Sequence, residues 1–204
     1  MSDFFASIKD ALMAMFTAAS YAVFLRNLVT SGGLGASEVI RVAQRNSEIL
    51  LTSLLVTAFS TGSAVLCRLL VPSISSMEYA WIALVFGGVL LTLYLLTGLA
   101  ITLLPLPSKT LLLKRMGISV LNTLVMAVPL LLFRMGYDMP RAIGLGIGAG
   151  AAFLIVSLLV NSGLHVLQDN KAIPPMFAGA PAALVYTGLL ALAFTGFTGE
   201  VLFQ

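Results

Sequence analysis

Charge is scarce in this sequence. Only 9% of its 204 residues are Asp, Glu, Lys or Arg, while 59% are hydrophobic. A soluble domain carries about 25% charged residues. So little charge excludes a water-facing surface around one core, and a mean hydropathy of +1.06 places the chain in lipid. A net charge of +3 is too small to imply a nucleic-acid partner. Cysteine is nearly absent. Cys67 alone excludes a disulfide framework and a multi-cysteine metal site within the chain. There is no catalytic triad, phosphate loop or metal cluster, so the chain by itself is not a recognisable enzyme. Carboxylates are expected to stay out of the apolar spans, which weighs against a self-sufficient proton or sodium relay. The opening MSDFFASIKD is acidic and mixed, unlike a cleavable signal. The closing EVLFQ, Glu200 to Gln204, matches the remnant of a protease site for tag removal and carries no functional weight.

What the chain does have is long apolar runs. A helix crosses the hydrocarbon core with ~20 such residues. Six stretches qualify or nearly do, at about 8–29, 48–71, 80–104, 111–133, 142–168 and 179–199. They predict an all-α integral membrane protein of six transmembrane helices in one domain, residues 1–199. The short links are expected to hold Pro72, Pro105, Pro107, Pro140, Pro174 and Pro175. The links after spans one, three and five carry Arg41, Arg45, Lys109, Lys114, Arg115 and Lys171; the other side carries Lys9, Arg68, Arg134 and Arg141. This bias predicts that both termini lie outside the cytoplasm.

The apolar runs also repeat. IALVFGGVLL at 82–91 returns as AALVYTGLLA at 182–191, and TSLLVTAFS at 52–60 as VSLLVNSGL at 156–164. Two three-helix units follow, about 8–104 and 111–199. An odd number of spans per unit inverts the second copy, giving a pseudo-two-fold axis in the membrane plane. Sites in such folds lie where interrupted spans meet, and spans one and four are the interrupted pair. Span one carries Arg26 and Asn27, then SGGLGAS with Ser31, Gly32 and Gly33; span four carries Asn122 and Thr123, then Pro129. Asn and Arg are costly in lipid unless partnered or facing a cavity, and a mid-span proline breaks a helix. Spans one and four are therefore expected to be discontinuous or half-spanning and to meet near the centre, with Asn27 opposite Pro129. For Arg26 the alternative is a side chain snorkelling from the cytoplasmic end of span one.

FLRNLVTSGGLGASEVIRVA, LNTLVMAVPLLL and IPPMFAGAPAALVYTGLLALAFTGFTG resemble the Rnf/Nqr family of membrane subunits. The likeness is greatest to its A-type subunit, called E in the Nqr complex. It runs over nearly all of the 199 residues before EVLFQ. The resemblance implies a six-helix protein with inverted repeats in a bacterial inner membrane. There it would pair with a paralogous sister subunit in a complex coupling electron transfer to Na⁺ or H⁺ movement. It also implies a [2Fe-2S] cluster shared by the pair, each subunit giving one cysteine at each of two half-helix tips. At those positions this sequence has Ser31 and Thr123. Asn122, before the second, matches the family, and Arg26 matches a basic residue there. Hydroxyls are hard, weak ligands that do not replace thiolates on iron. The expectation is a divergent subunit with no cluster of its own, at most a non-catalytic or electron-relay part of an oxidoreductase. The alternative is a stand-alone small transporter for an ion or small solute, reusing the inverted-repeat fold as a homodimer.

Weaker signals lie elsewhere. GLGIGAG at 144–150 is not a dinucleotide fingerprint, since no βαβ unit surrounds it. Its overlapping GxxxG pairs predict close helix packing, and Gly87, Gly88 and Gly188 are expected to do the same. His165 and Asp169 share a helix face, and Glu38, Arg41, Arg45 and Glu48 form a headgroup-facing or partner-facing surface. Cys67 is expected to be a packing residue.

Overall fold

A computed structural model of the chain describes residues 2–105, 109–170, 174–177 and 179–198. Every regular element among them is helical: α1 Ser2–Ser20, a π-helical turn Tyr21–Leu25, α2 Ala36–Ala43, α3 Asn46–Ile74, α4 Tyr79–Leu103, α5 Lys109–Val120, α6 Thr123–Met135, α7 Met139–Asp169, a 3₁₀ turn Pro175–Phe177 and α8 Ala180–Thr198. Pro107, Lys171, Gly199 and residues 200–204 lie outside the described residues.

Four stretches are long and apolar enough to cross a membrane: Phe4–Leu25, Asn46–Ile74, Tyr79–Leu103 and Met139–Asp169. A fifth is the pair α5 and α6, bent by 48° at its break. The apolar part of α8, Ala180–Gly196, is shorter, so the sixth expected span falls below that length. The chain is an integral membrane protein: α4 exposes Trp81, Leu84, Leu91 and Leu95, a face that lipid, not water, accommodates.

The core is the antiparallel pair α3 and α7, and small residues bring the helices together. Ser60 Oγ donates to Gly146 O at 2.8 Å. A Cβ added at Gly146 would meet Thr61 Cα at 2.5 Å, and one at Gly148 would meet Ala19 O at 2.7 Å. The GxxxG reading therefore holds for α7, whose glycines receive α3 on one side and α1 on the other. It fails for Gly87, Gly88 and Gly188, which face open space. The same residue type serves both settings, so composition alone could not separate them.

Helix α7, 31 residues long and so about 46 Å at 1.5 Å per residue, works as a ruler. Gly144 lies against Met15 and Gly148 against Ala19 and Ala22, so α1 runs parallel to the first half of α7. Asn161 Nδ2 donates to Ala43 O at 2.6 Å, so α2 ends beside the second half. Arg115 on α5 pairs with Glu48 at the start of α3, near that same end. The C-terminal end of α6 returns beside Leu145, near the start of α7. The first span is thus α1 with its π turn, followed by the short α2, while α5 and α6 are the two parts of the fourth.

Several expectations shift. The first span stops at Leu25 rather than 29 and is long enough to cross by itself, so, contrary to expectation, it is not half-spanning; the separate short α2 starts only at Ala36. The fourth breaks at Leu121 and Asn122, seven residues before Pro129, and α6 runs unbroken through that proline. Asn122 explains the position: its side chain accepts from Leu124 N and so starts a new helix. Pro72 lies inside the end of α3, not in a link, while Pro140 sits in the first turn of α7 behind the Asp138 cap. Asp10 and Glu48 fall inside α1 and α3 rather than between spans.

Candidate functional site: the junction of two helix breaks

The first break begins where α1 widens into a π turn, closed by Arg26 N–H donating to Tyr21 O at 2.8 Å. Such turns leave carbonyls unpaired and often mark functional positions. Asn27, fully buried, repairs the loss. Its Oδ1 accepts from Val29 N at 3.1 Å and Thr30 N at 3.2 Å, and its Nδ2 donates to Val23 O at 3.0 Å. The chain then turns through Ser31, Gly32, Gly33, Leu34 and Gly35. Gly33 (φ 65°) and Gly35 (φ 75°) take the left-handed conformation that other residues resist.

The second break is tighter. Asn122, 1% exposed, caps α6 through a bond of 3.0 Å to Leu124 N. The breaks touch: Gly35 N–H donates to Thr123 Oγ1 at 2.8 Å. A Cβ on Gly35 would meet Asn122 Oδ1 at 2.6 Å, so only glycine allows this approach. Helices α2 and α6 both begin here and run in opposite directions along α7, so two partially positive helix ends meet at one place.

The residues singled out from sequence divide into three groups. Asn27, Asn122 and Thr123 build the junction. Arg26, Ser31 and Gly32 line a cavity of about 380 Å³ beside it, together with Tyr21, Arg134 and Leu145. Gly33 faces open space, and Pro129 is buried inside α6 away from the break. Arg26 is exposed, directly follows the span Phe4–Leu25, and lines a cavity with Arg134, at the end of α6. Sequence reasoning missed Gly35, though it stands in the glycine-rich SGGLGAS, and treated Arg134 only as a link charge.

Elsewhere several charged groups pair with one another. Glu48 takes both Arg45, at 3.1 Å, and Arg115, tying the start of α3 to α5, while Arg41 pairs with Glu38. His165 and Asp169 are exposed and make no hydrogen bond to each other. Cys67 is buried on α3 within the core cluster and takes no part in the junction. Among the described residues no group of three His, Cys, Asp or Glu side chains gathers to hold a metal ion.

The fold and junction define a class: a small helical membrane protein in which the glycine loop after the first span meets a break in the fourth. Comparison with known proteins narrows it. The chain is 39% identical over 80 residues to the A-type subunit of the "Ion-translocating oxidoreductase complex" of Aromatoleum aromaticum, covering 39% of this chain and 41% of that one. It is 35% identical over 78 residues to the protein of the same name in Cereibacter sphaeroides, covering 38% and 40%. It is 32% identical over 78 residues to the A-type subunit of the "Na(+)-translocating ferredoxin:NAD(+) oxidoreductase complex" of Acetobacterium woodii, again 38% and 40%. The matched stretch spans about two fifths of the length of these relatives. No family model matches the chain.

Proposed function

We propose that this chain is a membrane subunit of an Rnf/Nqr-like, redox-driven, ion-translocating electron transport complex in a bacterial inner membrane. The observation that carries the reading is the Gly35 to Thr123 contact. It joins the two breaks next to the positions that the resemblance makes cluster-bearing, and the relatives are named as subunits of ion-translocating oxidoreductase complexes. The chain serves as scaffold and gate, its helices rearranging about the junction lined by Asn27, Asn122, Ser31 and Thr123. Its partners are a paralogous six-helix sister and redox subunits. The six spans form two inverted repeats in one domain, with both termini outside the cytoplasm. Support for the repeat comes from packing: the first span lies against α7, and the broken fourth lies against α3.

We propose further that this subunit carries no iron–sulfur cluster of its own. Ser31 and Thr123 offer hydroxyls, and Thr123 Oγ1 already accepts a backbone hydrogen bond. A thiolate-bound cluster does not suit that donor set, so no electron-transfer step is assigned to these residues.

The test is anaerobic purification with whatever copurifies, followed by iron analysis, visible absorbance and EPR. The proposal expects a paralogous sister protein together with a flavin or iron–sulfur partner in the preparation, with no iron assignable to this chain. Stoichiometric iron retained by the isolated chain would refute the loss of the cluster. A homodimer with no redox partner, moving solute in vesicles, would favour the transporter reading. One feature gives that second reading weight: Thr52, Ser53 and Ser157 carry buried hydroxyls without hydrogen-bond partners, which suits an uncharged polar path.

A further inference from the structure

Four of the seven arginines have a carboxylate partner: Arg41, Arg45, Arg115 and Arg141. Among the described residues, Arg26, Arg68 and Arg134 have none. Two of these three, Arg26 and Arg134, line the same cavity of about 380 Å³. They are 108 residues apart in sequence, and only the meeting of the π turn, the glycine loop and the end of α6 brings them together. No carboxylate among the described residues lines the cavity. Its other polar contributions are Tyr21 and Ser31, and Leu28, Leu131 and Leu145 supply apolar wall.

Arg26 and Arg134 are exposed at the ends of their helices, so solvation relieves part of their cost, but two like charges around one apolar-walled cavity still repel each other. A bound anion removes that repulsion. Guanidinium groups present planar forks of donors that match an oxyanion, and the Ser31 hydroxyl can add a further donor. The cavity exceeds the volume of a bare phosphate, and its leucines favour a ligand with apolar substance attached.

We propose that the cavity between the first break and the end of α6 binds a phosphate group, held by Arg26 and Arg134. That chemistry has two sources, a free phosphate or the headgroup of an anionic lipid. The proposal does not depend on a redox role for the chain. It places an anion at the hinge between the glycine loop and α6, so occupancy would bias how the two breaks sit.

The experiment uses the full chain, delipidated in neutral detergent and titrated with inorganic phosphate by calorimetry. In parallel it is reconstituted in phosphatidylcholine nanodiscs with and without phosphatidylglycerol, and retained lipid is counted by native mass spectrometry. The expected result is one saturable anion per chain. Arg26→Gln and Arg134→Gln should each weaken binding about tenfold or more, with the Lys variants weakened less because charge survives without the fork. Lys9→Gln should bind as the parent does. Phosphate binding supports the free-ion source, and retained phosphatidylglycerol alone supports the lipid source. If the Gln variants do not stay monodisperse, Arg26→Lys and Arg134→Lys carry the test, with weakened binding expected. Retention of neither probe, or equal retention by parent and variants, overturns the proposal and leaves two arginines that snorkel to the surface.

Discussion

Between Leu25 and Ala36 the first break spreads over ten residues and three glycines, whereas the second takes only Leu121 and Asn122. Each break depends on one buried asparagine, but the two carry unequal loads. Asn27 makes three hydrogen bonds to backbone atoms, one back to Val23 in the π turn and two forward to Val29 and Thr30 inside the break. Asn122 makes one, to Leu124 N, and its Nδ2 finds no partner. A long break exposes many backbone groups and needs a side chain that reaches both ways. A short break needs only a cap, because the helix resumes at once and satisfies itself. The two breaks meet where Gly35 lies against Thr123.

The largest effect should come from unequal removal of these side chains. Asn27→Leu leaves two N–H donors and one carbonyl unpaired in a buried setting, an expected loss of about 3–5 kcal/mol. Asn122→Leu removes one cap bond and should lose about 1–2 kcal/mol. Reversible unfolding in bicelles with added SDS would measure both. Equal losses would mean that the two breaks are not organised as the hydrogen bonds imply.

A smaller difference separates two glycines of the same loop. Both are left-handed, but a Cβ meets Asn122 only at Gly35. Gly33→Ala should lose about 1–2 kcal/mol from backbone strain alone. Gly35→Ala adds the clash with the cap of α6 and should lose about 1–3 kcal/mol more. Pairing Gly35→Ala with Asn122→Ala, which clears the contact, should recover part of that loss in a double-mutant cycle. Additive losses would place the loop away from α6.

How much of this was legible beforehand depends on distance along the chain. The apolar spans and the GxxxG glycines of α7 are local patterns, so they read correctly apart from boundaries and the short α8. That Asn27 and Asn122 sit at breaks was also legible, because an asparagine in an apolar run needs a reason. The site of the second break was not: Pro129 looked like the breaker, yet a cap seven residues earlier proved sufficient and the proline was absorbed. Gly87, Gly88 and Gly188 misled because a glycine facing lipid is written like a glycine facing a helix. The Gly35 to Thr123 bond joins residues 88 apart, and Arg26 joins Arg134 over a longer reach. Neither has any local mark, since each exists only once α7 has aligned α1, α2 and α6.

The smallest expected difference lies between the two hydroxyls that stand at the cysteine positions of the resemblance. Thr123 Oγ1 accepts the Gly35 N–H, whereas Ser31 Oγ makes no hydrogen bond and lines the cavity. Thr123→Val keeps the shape and removes the acceptor, and it should lose about 0.6–1.5 kcal/mol, the lower end being typical of polar contacts between helices in membranes. Thr123→Ser keeps the acceptor and should lie within about 0.5 kcal/mol of the parent. Ser31→Ala should leave stability unchanged within the same margin, because no protein bond is removed. Its effect should appear only in anion binding, as a weakening smaller than that of either arginine variant. Stability loss at Ser31 equal to that at Thr123 would erase the distinction between a hydroxyl that holds the breaks together and one that faces a ligand.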